Sequence, residues 1–158
     1  MPIHIIAVGA MKEKGYRMAA EEYLKRLSRY DKVWVTEVAD IAEPQNAGEN
    51  DIRRVMEAEG EKILAHVKPD DQVFALCIRG EMIGSEDFAA QLKAYKNNAQ
   101  RCVFVIGGSN GLGENVLARA QRRLSFSPMT FPHQLARVML LEQVYRACKI
   151  NAHERYHK

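Results

Sequence analysis

The sequence has little cysteine, no long apolar run and no large excess of either charge, and each shortage excludes a class of protein. Its 158 residues include three cysteines, Cys77, Cys102 and Cys148, an odd number, far apart and without a C-x-x-C pair. That pattern argues for reduced thiols and against a disulfide framework or a zinc site. No set of His, Cys, Asp and Glu has metal-ligand spacing, so no metal is expected. No positively flanked apolar stretch opens the chain, and the longest apolar runs are about half a membrane span or less. The expectation is a cytoplasmic protein with no membrane partner. The nucleophile motif G-x-S-x-G is absent, as are a first-strand G-x-G-x-x-G and a Gly-Lys-Ser/Thr phosphate loop.

What is present is an ordinary globular composition, 47% hydrophobic and 27% charged. A core of that size folds without a metal or disulfides, and the length suits one domain over residues 1–158. The net charge of +3 is unevenly spread. Residues 101–158 hold 9 Lys/Arg against 3 Asp/Glu, whereas residues 1–100 hold 14 against 17. The basic half reads either as a face for phosphate or RNA or as a solvated surface.

The pattern along the chain alternates strands with helices. Ile3 to Val8, Val33 to Val38, Val73 to Ile78 and Cys102 to Ile106 read as strands, the last two apolar enough to be covered on both faces. Helices are expected over Tyr16–Leu27, from Asp51 to before Pro69, after an N-cap at Ser85, over Glu114–Arg122, and from Leu135 through Tyr145. A last strand is expected near Leu124–Ser127. The fold class is therefore α/β, a mainly parallel sheet with helices on both faces.

Four segments are candidates for chemistry. Gly107 to Gly113 follows a buried strand, either as a tight strand-to-helix turn or as a ligand site at the carboxyl end of a sheet strand. Phe126-Ser127-Pro128-Met129-Thr130-Phe131-Pro132-His133 is an apolar, irregular loop, suited to lie against a flat ring or to be buried as structure. His133 at the entry to the last helix is a capping or a catalytic histidine. The tail His153-Glu154-Arg155-Tyr156-His157-Lys158 is either a disordered terminus or a grip for phosphate and a nucleobase.

Taken together, Gly107–Gly111, Leu124–His133, Glu142-Gln143-Val144-Tyr145-Arg146-Ala147 and Tyr156-His157-Lys158 closely resemble the ribosomal RNA large subunit methyltransferase H family. Ala7-Val8-Gly9 and Glu59-Gly60-Glu61 fit as well, and the similarity spans the whole chain. The resemblance implies the SPOUT superfamily: small homodimeric α/β proteins with a C-terminal trefoil knot. It implies S-adenosylmethionine as methyl donor. The implied acceptor is N3 of a pseudouridine in the interface stem-loop of 23S rRNA, modified on the assembled ribosome. Carried over by position, the cofactor site would be Leu76, Gly107 and Phe126, Ser127, Pro128, Met129, Thr130 and Phe131. Pro128 lacks an N–H, so there the loop offers only its carbonyl.

The methyl of a sulfonium is already activated, so the protein's work is positioning and removal of the N3 proton. His133 or His157 would take that proton, as histidines change charge near neutral pH. Arg146 would stabilise the anionic base or bind phosphate, Tyr156 would stack on or orient it, and Arg155 and Lys158 would hold RNA. A homodimer whose tail crosses the interface would have composite sites. A non-enzymatic ribosome-binding factor is the alternative reading, and it predicts no affinity for S-adenosylmethionine.

Overall fold

Every residue of β1 (Ile3–Val8) and of β4 (Cys102–Ile106) is buried, which is why neither alternates polar with apolar. In the computed structural model, which describes residues 2–158, these two strands pair in parallel at the centre of a five-stranded sheet. Its order is β2–β1–β4–β3–β5, with β2 at Val33–Val38, β3 at Gln72–Glu81 and β5 at Arg122–Leu124. Every pairing is parallel. The helices are α1 (Lys14–Leu27), α2 (Glu49–Leu64), α3 (Ser85–Asn97), α4 (Glu114–Arg119) and α5 (His133–Asn151).

The two faces of the sheet carry separate cores. Ile3, Ile5, Phe74 and Phe104 pack with Leu27 of α1, Phe88 of α3 and Leu140, Leu141 and Val144 of α5. Ile6, Val8, Val73, Val103 and Val105 point the other way, onto Ile63 of α2 and Val116 of α4. Burying each such side chain contributes about 1.5–3 kcal/mol. Phe74 stacks on Phe104 with ring centroids 4.8 Å apart, joining β3 to β4 inside the larger core. Helices α1 and α3 thus carry the crossovers running one way along the sheet, and α2 and α4 those running back. That arrangement gives all four crossovers the same hand, as parallel units require.

The expected α/β class and both covered faces hold, but several boundaries differ. Helix α1 starts two residues before Tyr16. Helix α2 starts at Glu49 because Asp51 reaches back to accept the Gly48 N–H at 3.1 Å, and it ends at Leu64, so Val67 packs from outside the helix. Ser85 is the first helical residue, not the N-cap, which is Gly84. The Ser85 hydroxyl instead donates to Gln143 Oε1 on α5 at 2.7 Å. Helix α4 stops at Arg119, and β5 lies at Arg122–Leu124 in place of Leu124–Ser127. The cause is Gln121, whose N–H and side-chain oxygen both bond to the Val73 backbone and draw the chain alongside β3 early.

A buried ion pair fastens the amino-terminal edge of the sheet. Asp71, 2% exposed, accepts Arg101 Nε at 2.7 Å and Nη2 at 2.5 Å. Burial pushes the Asp71 carboxyl up, but Arg101 and the Lys68 N–H outweigh it and hold it below its ordinary value. Among the described residues no helix is long and apolar enough to cross a membrane.

Candidate functional site

The carboxyl ends of four strands form one rung. Ala7 pairs with Ile106, and Leu76 with Leu124, while Val105 beside Ala75 sets Leu76 next to Ile106. The backbone leaves this rung at Gly9, Gly107, Ser125 and an irregular continuation of β3, in which Leu76 and Glu81 both pair with Leu124. Open parallel sheets bind ligands at such an edge.

Gly107 serves a tight turn. A Cβ there would stand 2.6 Å from the Gly111 carbonyl carbon and 2.7 Å from its oxygen, while Gly111 itself has φ +85°. Gly108 closes over Val8 and over Glu59, a buried carboxylate that accepts the Ile41 N–H at 3.0 Å. Burial raises the Glu59 carboxyl above its ordinary value. The glycine loop therefore folds onto itself and onto α2.

Beside it, at the ends of β3 and β5, lies an apolar hollow of about 460 Å³. Leu76, Leu124 and Phe126 form one wall, Met82 and Ile83 another, and Val138, Met139 and Glu142 of α5 a third. Met82 is 62% exposed and Phe126 37%, so the hollow is open to solvent on their side. Of the residues expected at the cofactor, Leu76 and Phe126 line this hollow, whereas Gly107 and Ser127–Phe131 do not. Pro128, Met129 and Thr130 are exposed, and the loop is shaped by Ser127 Oγ, which accepts the Met129 N–H at 3.0 Å. This apolar loop is thus not a buried one.

The tail is ordered. After α5 the Glu154 N–H bonds to Lys149 O and the His153 N–H to Ile150 O, with His153 left-handed at φ +57°. This is a Schellman turn with histidine where glycine is usual, and it folds the chain back along α5. Glu142 is the anchor: its Oε1 accepts Arg146 Nη2 at 2.6 Å and the Tyr156 hydroxyl at 3.2 Å. Its Oε2 accepts Gln143 Nε2 at 2.9 Å. The Arg146 guanidinium also lies 4.7 Å from the centre of the Tyr156 ring and 3.2 Å from His157 Nδ1. A guanidinium has only donors, so Nδ1 accepts, leaving Nε2 as the protonated nitrogen facing Glu86 Oε1 at 3.5 Å. Burial first, then the Glu142 charge, push the Tyr156 phenol up to about 12.

Of the four expected catalytic residues, Arg146 and Tyr156 thus meet at a carboxylate that lines the hollow, and His157 joins them through Arg146. His133 does not join them. It is the first residue of α5, and its Nε2 lies 4.0 Å from where a Cβ on Gly9 would be, over the end of β1. Arg155 and Lys158 are exposed. Sequence reasoning placed Glu142 on the last helix and assigned it no role, though its spacing of four from Arg146 is an available sign of an ion pair. It also missed Arg137, 3% exposed, which bonds to Glu37 Oε2 at 2.5 Å and Gly9 O at 3.0 Å and so ties α5 to the end of β1.

A family model described as "Predicted SPOUT methyltransferase" matches residues 1–157. The chain belongs to this family. Among solved structures, the SPOUT chain resembles the crystal structure of a probable methyltransferase from Bordetella pertussis Tohama I, at a TM-score of 0.57. The likeness covers 92% of this chain and 93% of that one at 14% identity, so it is one of fold. SPOUT methyltransferases generally take their methyl group from S-adenosylmethionine. Among the described residues of this SPOUT protein, no group of His, Cys, Asp and Glu could hold a metal ion.

Proposed function

We propose that this SPOUT methyltransferase transfers a methyl group from S-adenosylmethionine to N3 of a pseudouridine in 23S rRNA on the assembled ribosome, working as a homodimer. The observation that carries the reading is the joining of the apolar hollow to the Arg146–Tyr156–His157 cluster through one carboxylate, Glu142. The hollow suits the donor. Leu76, Leu124, Ile83 and Phe126 offer apolar walls to an adenine, and the Glu142 carboxylate offers charge complementary to a sulfonium. When bound, S-adenosylmethionine would supply an electrophilic methyl group.

The chain's own residues must then hold the base and remove its N3 proton. Tyr156 orients the ring by stacking, and Arg146, with donors on both sides of its fork, stabilises the imide anion that deprotonation leaves. His157 Nδ1 has its lone pair aimed at Arg146, so it takes the proton as Arg146 turns to the anion. His133 is the alternative base, standing over Gly9 at the same edge of the sheet. In a homodimer, Arg155 and Lys158 of both tails add positive charge for RNA, and association tracks the number of phosphates met.

The test is transfer from labelled S-adenosylmethionine to intact ribosomes that lack the modification, with mass spectrometry locating the label. One methylated pseudouridine in the interface stem-loop is the expected result, with much slower transfer to protein-free rRNA. Absence of both transfer and calorimetric binding of S-adenosylhomocysteine would refute the reading in favour of a ribosome-binding factor.

A further inference from the structure

A second hollow, of about 530 Å³, opens between the carboxyl-terminal turns of α1 and α5 and is built differently from the first. Four cations line it, Lys25, Arg26, Arg29 and Lys149, with two carboxylates, Glu22 and Glu154. Glu22 is committed to Arg26, at 3.0 Å one turn away. Lys25 and Arg29 make no direct ion pair among the described residues, though the Arg29 charge acts on Glu154 from a greater distance. The remaining acid, Glu154, comes from the tail.

Glu154 occupies this hollow as an anion would. Its Oε2 accepts the Tyr30 hydroxyl at 2.8 Å and Lys149 Nζ at 2.5 Å, two strong donors converging on one oxygen. Those bonds hold the Glu154 carboxyl below its ordinary value and Lys149 above its own. The side chain is nonetheless 44% exposed. Its backbone is fixed by the Schellman turn, so rotation of the side chain alone would vacate the donors. The vacated hollow would keep four cations against one acid.

We propose that this hollow is a phosphate-binding site for which the Glu154 carboxylate competes, so that a phosphodiester of an RNA chain displaces Glu154 from Tyr30 and Lys149. An oxygen of a phosphodiester asks for what Glu154 already receives, two converging donors, and adds bulk that reaches Lys25 and Arg29. The proposal rests on the RNA-substrate reading only for the source of the phosphate. It couples RNA to the tail, because Glu154 lies two residues before Tyr156 and three before His157. Phosphate entering here takes from the segment that bears two of the proposed catalytic residues its side-chain bonds to Tyr30 and Lys149, while the backbone turn stays in place.

Binding tests this without methyl transfer. A labelled, mixed-sequence, single-stranded RNA is followed by fluorescence anisotropy at low and at physiological salt. Glu154→Gln removes the competing charge and should tighten RNA about three- to tenfold at low salt. Arg29→Gln combined with Lys149→Met should weaken it about tenfold and lower the salt slope by about one to two counterions. Lys93→Gln, an exposed lysine on α3, should change neither, and thermal melting checks that every variant folds. Inorganic phosphate, titrated by NMR, should move the Lys149 and Glu154 amides, and if it does so while RNA ignores the variants, the source is free phosphate. Unchanged RNA affinity in all variants with unmoved amides would overturn the site, as would an equal loss in Lys93→Gln. Failure here leaves the methyl-transfer reading standing, and a protein that binds RNA through this hollow yet never methylates would refute that reading alone.

Discussion

Replacing Glu142 separates a carboxylate that organises the tail from one that merely lies near it. Its side chain is 19% exposed and that of Arg146 23%, so their ion pair is largely withdrawn from water. Glu142→Ala removes the acceptor of both Arg146 and Tyr156 and leaves a half-buried guanidinium without its charge partner, at a cost of about 2–3 kcal/mol. Glu142→Gln keeps an oxygen for Tyr156 and loses only the charge, costing about 1 kcal/mol. The undocked population of the tail should then rise about fivefold in Glu142→Gln and thirtyfold or more in Glu142→Ala. Hydrogen exchange of the amides of residues 153–158 reads that population. Tyr156, now pushed to about 12 by burial and then by Glu142, should titrate nearer its ordinary value in Glu142→Ala, followed by its ring resonances. Unchanged tail exchange in Glu142→Ala, or equal loss in both variants, would refute the reasoning.

Gly107→Ala should destabilise the fold by about 1–3 kcal/mol in a chemical melt, since the new methyl would meet the Gly111 carbonyl at 2.6–2.7 Å. His153→Gly should raise stability by about 0.5–1 kcal/mol, because relief of a left-handed histidine at φ +57° exceeds the added freedom of the unfolded chain. His4 is 3% exposed, and burial first, then Arg101, lower its pKa from 6.5 to about 4. The unfolded state therefore binds the proton first, and stability should be full above pH 6.5 and fall towards about pH 4. That loss is at most about 3 kcal/mol, and His4→Phe, which keeps the stack on Trp34, should flatten this limb of the melting profile. Arg146→Ala should cut turnover on ribosomes about 100-fold or more with KM changed less, as expected of a group that stabilises a developing anion. Full activity would dismiss that role.

The strands were legible wherever both faces of the sheet are covered. Ile3–Val8 and Cys102–Ile106 stand where the apolar runs put them, because local composition and burial agree there, and Val33–Val38 holds its place as a partly exposed edge strand. The fifth strand was misplaced because its first two residues are arginines at an edge, and Arg122 finds its partners, Tyr95 and Glu81, only after folding. Ser85 looked like a cap because serine is a good one, and only Gln143, 58 residues away, shows where its hydroxyl goes. The site divides the same way. Leu76 and Phe126, named by the family resemblance, line the hollow, but the order of the tail depends on Glu142 and Tyr30, 14 and 124 residues from their partners. No local pattern carries such long-range pairing.

The strand order also bears on how the chain is made. β1 emerges first, yet the strand that covers its inner edge, β4, begins at Cys102. Synthesis at ~5–20 residues per second leaves that edge, lined by isoleucines, unpaired for about 5–20 s. During this interval the nascent chain offers an open strand, apolar at every position but His4, to any other chain nearby. A protein of this topology should therefore depend on holding chaperones more than its small size suggests, and refolding from denaturant, with the whole chain present at once, should be the more forgiving route.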